Sequence, residues 1–262
     1  MSAKSPAIYL GIDPSGGRSL FTYVALDRDC KIEALGTGKL AAVLAYAAGQ
    51  PSAFVLINGP AGVNLGLTDQ ADEQHALFPE PGGGSWTNMR LAEAQLLQRG
   101  LEATYTKTNV DDCSPWMRSS FELFRQLKQL GYQSYPQSEA VRLCSEVQAR
   151  AAFSSLVEAP LFDGHALEGR LQRQMILNNE GLPVRDPMDF FEEVTRHRLL
   201  RGILPYELLY SSRELNAMMA AYTGWLAFSH PQRVHLLGDP NEGCLLLPVK
   251  EISPERLKTS TD

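Results

Sequence analysis

A chain of 262 residues with 44% hydrophobic and 21% charged side chains can bury a substantial core, which excludes a disordered or fibrous protein. A net charge of −6 excludes a surface that wraps nucleic acid all round, since Lys and Arg drive phosphate binding, but it leaves room for one local basic groove. No apolar run reaches the ~18 residues of a membrane span, and the N-terminal MSAKSP has no signal-peptide core, so a cytoplasmic protein without membrane contact is expected.

Ala7 to Asp13 (AIYLGID) is an apolar strand that ends in one carboxylate, where α/β sheets commonly place chemistry. Pro14-Ser15-Gly16-Gly17-Arg18 then predicts a hairpin turn into a second strand, Ser19 to Asp27. Cys30 to Leu35 completes a meander, and Lys39 to Ala48 is an alanine-rich helix stopped by Gly49. Ala53 to Ile57 is a short continuous apolar run, as in a strand covered on both faces, and Asn58-Gly59-Pro60 ends it. Three antiparallel strands followed by a helical crossover to a fourth describe an α/β plan with a mixed sheet.

Ala61 to Thr87 is rich in glycine and proline and reads as a long loop, either a lid or binding loop or an insertion without function. Asn88 to Arg99 has helical spacing, and Leu101 to Thr106 reads as a strand. Ser114-Pro115 supplies an N-cap and first-turn proline for a helix whose stripe Trp116, Phe121, Phe124, Leu127 and Leu130 is core-like. Tyr132 to Tyr135 is a short strand, and Ser138 to Phe228 reads as helical, with breaks at Pro160, Gly181 and Gly202. Within it Asp186-Pro187 is another helix start, and Ser211 with Glu214 forms a capping box. The helix opened there carries Ala217, Ala220, Ala221 and Gly224 on one face, so it can lie very close to a sheet. Arg233 to Gly238 and Cys244 to Val249 are closing strands, and the tail 253–262 is polar and loose. No internal repeat or boundary divides residues 1–252, which read as one domain.

Metal and nucleophile motifs are sparse. Cys30, Cys113, Cys144 and Cys244 form no C-x-x-C pair, and the five histidines have no ligand spacing. No P-loop is present, and Gly84-Ser85-Trp86 lacks the strand-turn-helix setting of a nucleophile elbow.

Six segments, YLGIDPSGGR with FTYVALD, VLINGPAG, MRLAEAQLLQRG, YQSYPQSEAVRL, ELNAMMAAYTG and GDPNEGCLLLP, resemble a bacterial and archaeal domain family of unknown function. That family is described as predicted nucleases of the RNase H fold, and the resemblance runs from about Ile8 to Pro248. It implies an RNase H-like α/β domain: a mixed five-stranded sheet, first three strands antiparallel, helices on both faces, and a helical C-terminal half. It also implies phosphodiester hydrolysis by two Mg²⁺ or Mn²⁺ ions held by carboxylates.

On that comparison Asp13 is the first-strand acid. Asn58, Gln137 and Asn216 stand where the pattern usually has acids, and Gln133 replaces a further glutamate. The catalytic set implied is therefore Asp13, Asn58, Gln137 and Asn216, with metal ligands Asp13 and Glu139. Substrate contacts are expected at Ser15, Gly16, Gly17, Arg18 and Arg90. Arg118, Arg125, Lys128, Arg142, Arg170 and Arg173 are further groove candidates. Glu214 sits ~200° around the helix from Asn216 and is assigned to the capping box.

Amides keep the shape of acids but supply a dipole in place of a charge, so the expected activity is weak or lost. The alternative is a non-catalytic module on the same fold that binds a nucleotide, nucleic acid or protein. A third reading takes Asp13 to Gly17 as the phosphate loop of an actin-like phosphotransferase, but no second such loop is found.

Overall fold

The computed structural model describes residues 5–14, 20–68, 88–136, 140–157 and 159–250. Its central strand is β1 (Ile8–Asp13), antiparallel to β2 (Phe21–Leu26), which is itself antiparallel to β3 (Ile32–Gly38). Helix α1 (Leu40–Ala48) carries the chain across to β4 (Ala53–Asn58), parallel to β1. The meander and crossover are therefore as the apolar runs predict.

Beyond β4 the sheet is wider than the family resemblance implies, with eight strands among the described residues in place of five. Strand β6 (Arg142–Val147) lies parallel beside β4, and the two-residue β5 (Gln133–Ser134) pairs with it. The hairpin β7 (Val234–Asp239) and β8 (Gly243–Pro248) closes the far edge through β8, giving the order β3-β2-β1-β4-β6-β8-β7.

Two segments depart from the sequence expectations for identifiable reasons. Ser138–Phe228 is not helical throughout, because Arg142–Val147 is a buried central strand. Both of its faces are covered, so it shows no alternation of apolar and polar residues, and the alanine-rich helix that follows obscures its end. Leu101–Thr106 joins no ladder. Two of its N–H groups go to side chains instead: Thr104 N–H donates to Gln148 Oε1, and Thr106 N–H donates to the Glu93 carboxylate.

Helix α2 (Leu91–Gln98) is shorter than Asn88–Arg99, because Asn88 takes a positive φ and Arg90 is extended. Helix α3 (Pro115–Gln129) starts at the predicted proline. Ser114 occupies the N-cap position with no side-chain cap bond. The 61–87 loop is described only to Thr68, and the 253–262 tail lies outside the described residues.

Helices cover both faces of the sheet. On one, α1 and α3 bury Val43, Ala47, Leu123, Phe124 and Leu127 against Leu10, Ile12, Val55 and Ile57. On the other lies α8 (Ser212–Ser229), itself covered by α4 (Ala149–Val157) and α5 (Leu167–Asn179). Short helices α6 (Asp189–Glu193) and α7 (Arg196–Leu200) follow α5 at the surface.

The capping box forms as predicted: Ser211 Oγ accepts from Glu214 N–H, and the Glu214 carboxylate accepts from Ser211 N–H. The small residues of α8 set its height above the sheet. A Cβ on Gly11 would fall 2.0 Å from the Ala217 carbonyl oxygen, and one on Gly224 would fall 2.4 Å from Leu56 Cδ1. All four cysteines are free and buried, and burial pushes the Cys30 and Cys144 thiols up to about 12. Among the described residues no helix is long and apolar enough to cross a membrane.

Candidate functional site

Parallel pairing in register Ile12↔Ile57 brings Asp13 and Asn58 side by side at the ends of β1 and β4. Both side chains rise toward α8, whose second turn supplies Asn216. Asn58 Nδ2 and Asn216 Nδ2 each donate to the same oxygen, Asp13 Oδ2, at 2.9 Å. Asn58 Oδ1 accepts from the N–H of Ala149, the first residue of α4, at 2.9 Å. That backbone donor fixes the orientation of the Asn58 amide, because its oxygen must face α4 and its NH₂ must face the carboxylate. Three of the four predicted residues thus meet, and the amides act as donors to the acid.

Asp13 is 6% exposed. Burial pushes its carboxyl above the usual range, opposed by the two amide hydrogen bonds and by the charges of Arg213 and His165. An ionised form is therefore held at a cost in free energy, as functional carboxylates often are.

The triad forms part of the floor of an open cleft of about 650 Å³. Thr104, Pro115, Trp116, Gln148 and Asp163 also line it, and Arg150, Arg173, Arg213 and His165 bring positive character. Arg150 is paired with Glu102 at 2.7 Å on the surface. Arg173 is different: it is 5% exposed and donates to the carbonyls of Phe162 and Gly169, with no carboxylate among its hydrogen-bond partners. Burial, then the nearby Arg150, lowers its pKa, and Asp163 partly offsets this. Among the described lining residues three guanidinium groups stand against two carboxylates, and of the three Arg150 is already paired with Glu102.

Among the described residues, the donor set does not fit a pair of divalent cations. Asp13 and Asp163 are the cleft's only acids among the described residues, and no group of three His, Cys, Asp or Glu side chains there could hold a metal. Asn58 turns its NH₂ group to Asp13 and its oxygen to Ala149, so it is the donor end of the amide that faces the carboxylate. Gln137, Glu139, Ser15, Gly16, Gly17 and Arg18 lie outside the described residues.

Arg90 is not at the cleft. It is buried at 1% exposure, with its guanidinium bidentate to Glu146 at 2.7 and 2.8 Å and bonded to the Glu242 carbonyl. Glu146 also accepts from Ala61 N–H, and Glu242 accepts from Leu65 and Leu91 N–H. This buried cluster fastens α2 and the start of the 61–68 segment to β6 and the β7–β8 turn. Other expected groove cations are engaged elsewhere. Arg142 donates to the carbonyls of Ala48, Gln50 and Leu130, and Arg170 to those of Leu209 and Tyr210. Arg125 pairs with Glu122. Of the candidate cations among the described residues, Arg173 alone lines the cleft.

Arg150, Asp163, His165 and Arg213 were not singled out from sequence as site residues. Arg150 and Gln148 reach the cleft because β6 ends beside β4, so missing that strand hid them. The only signal for β6 was the apolar stretch around Val141 to Val147 after the Pro136 break.

No family model, no curated protein and no solved structure matches this chain.

Proposed function

We propose that the chain is an RNase H-like protein whose metal site has become a neutral hydrogen-bonding pocket. In this reading it binds a phosphate-bearing ligand, a nucleotide or a nucleic-acid strand, without metal-driven hydrolysis. The observation that carries this proposal is the pair of amide donors on Asp13 Oδ2. In a two-metal hydrolase that oxygen would face a cation, with further acids beside it. Here it is satisfied by the very side chains that stand at the acid positions of the resembled family.

The cationic lining supports the choice of ligand. Arg173 is desolvated before any ligand arrives, so an incoming phosphate finds a fixed donor with little left to desolvate. Arg150 and Arg213 stand at the same cleft and can take further phosphate oxygens, while Trp116 offers an aromatic face for a base. The order of β1, β2, β3 and β4 agrees with the RNase H-like plan, although many unrelated functions share such plans.

Thermal unfolding with and without millimolar Mn²⁺ tests the loss of the metal site. The expected result is an unchanged melting temperature, since a cation that binds only the folded state would raise it. A rise that Asp13→Asn abolishes would restore the two-metal hydrolase.

A further inference from the structure

Asp13 Oδ2 accepts from both Asn58 and Asn216, whereas Oδ1 receives no hydrogen bond from any described residue. Nor is Oδ1 sealed off. Among the described residues, the side-chain polar atoms both shut from solvent and without a partner are Arg90 Nε and Ser114 Oγ. One edge of the carboxylate is therefore open to the cleft, whose lining includes Asp13, Asn58 and Asn216. The triad is not free to turn that edge away, because Ala149 N–H holds the Asn58 oxygen and so fixes which end of that amide faces the acid.

This floor sets a chemical demand on whatever enters. An ionised Oδ1 only accepts hydrogen bonds. A phosphate oxygen also only accepts and carries like charge, so phosphate is turned away from Asp13. Phosphates belong instead at Arg173 and Arg213, and Arg213 is near enough for its charge to act on Asp13. Each amide has two N–H bonds and directs one at Asp13, which leaves each a second N–H next to the acid. The group that can donate to Oδ1 and accept from an amide is a hydroxyl, whereas a base amino group can only donate. The sugar is joined directly to the phosphate, so a phosphate anchored at Arg213 brings its sugar to Asp13. Within a strand the free sugar hydroxyl is the 2′-OH of ribose.

We propose that Asp13 is the residue by which this cleft selects ribose over deoxyribose, so that its ligand is single-stranded RNA. That selection presupposes the phosphate-binding role proposed above for the cleft.

The test is fluorescence anisotropy in EDTA with labelled single strands of one adenine and cytosine sequence, made as RNA, as DNA and as 2′-fluoro RNA. The fluoro strand keeps an RNA-like sugar pucker but has no hydroxyl hydrogen to donate. Wild type should bind RNA about tenfold or more tightly than either of the others, as one hydrogen bond to a charged group requires. In Asp13→Asn the amide oxygen must stay beneath the two donors, so its NH₂ takes the place of Oδ1 and the acceptor becomes a donor. That variant should bind RNA no better than DNA. A merely structural defect would weaken both strands alike and leave their ratio unchanged. Equal wild-type affinities for RNA and DNA, a fluoro strand that binds as well as RNA, or a preference that survives Asp13→Asn would each overturn the proposal while leaving the phosphate-binding role standing. Failure of every strand to bind would overturn that role, and the ribose preference with it.

Discussion

Asp13 is buried beneath two amides, and the sign of its pH effect follows. Its carboxyl is raised in the folded state, chiefly by burial, so the folded protein binds a proton more readily than the unfolded chain there. Its contribution to stability therefore declines as pH rises from the ordinary aspartate range through the raised folded value, and stays at its lowest above that. Asp13→Asn removes the buried charge and keeps an oxygen for the two donors. Urea unfolding across a pH series should show that the variant lacks the wild type's Asp13-linked decline and is at least as stable at neutral pH. A variant that is several kcal/mol less stable at neutral pH would mean the charge itself is stabilising.

Restoring acids should move the site the other way. In Asn58→Asp with Asn216→Asp three carboxylates meet at one point, and like charges ~3 Å apart cannot all ionise without a cation. The double variant should melt lower than wild type in EDTA and regain stability with Mn²⁺, by about 2.7 kcal/mol at a hundredfold excess over the dissociation constant. Indifference to Mn²⁺ would show that the pocket has lost more than its charge.

At the scale of elements, the distance between β1 and α8 controls the triad, because Asn216 rides on the helix. Gly11→Ala drives a methyl group into the α8 backbone at Ala217 and Ala221, which cannot yield as a side-chain tip can. We expect a loss of about 3 kcal/mol, the upper range for overpacking, together with weaker ligand binding as Asn216 is displaced. Gly224→Ala meets only the end of Leu56 and should cost less. Chemical denaturation of both variants checks the order. Equal losses would place the tight contact elsewhere.

Much of this arrangement was legible in the residues. The run into Asp13, the apolar strand into Asn58, the Ser211–Glu214 box and the small face of α8 are local patterns with one structural solution each. What was not legible depended on distant partners. Strand β6 is covered on both faces and has no period to betray it. Leu101–Thr106 has strand-like residues, but side chains from α2 and the β6–α4 junction take two of its N–H groups. Arg90 resembles any groove arginine until the fold places Glu146 and the Glu242 carbonyl against it.

At the scale of the molecule, the buried Arg90–Glu146 pair ties the start of α2 to β6, away from the cleft. Glu146→Gln would leave Arg90 buried with a neutral partner, and breaking such a pair costs about 3–5 kcal/mol. The cleft itself collects cationic side chains from α4, α5 and α8 over a floor supplied partly by β1 and β4, so ligand binding reports on the assembled domain. The most direct measurement is fluorescence anisotropy of a labelled single-stranded oligonucleotide, in EDTA and in Mn²⁺, with the strand's integrity read on a gel. The account predicts the same affinity in both, an intact strand, and roughly tenfold or greater weakening in Arg173→Met, as loss of a charged hydrogen bond of ~1.5–3 kcal/mol requires. Binding or cleavage that needs Mn²⁺ and disappears in Asp13→Asn would contradict it.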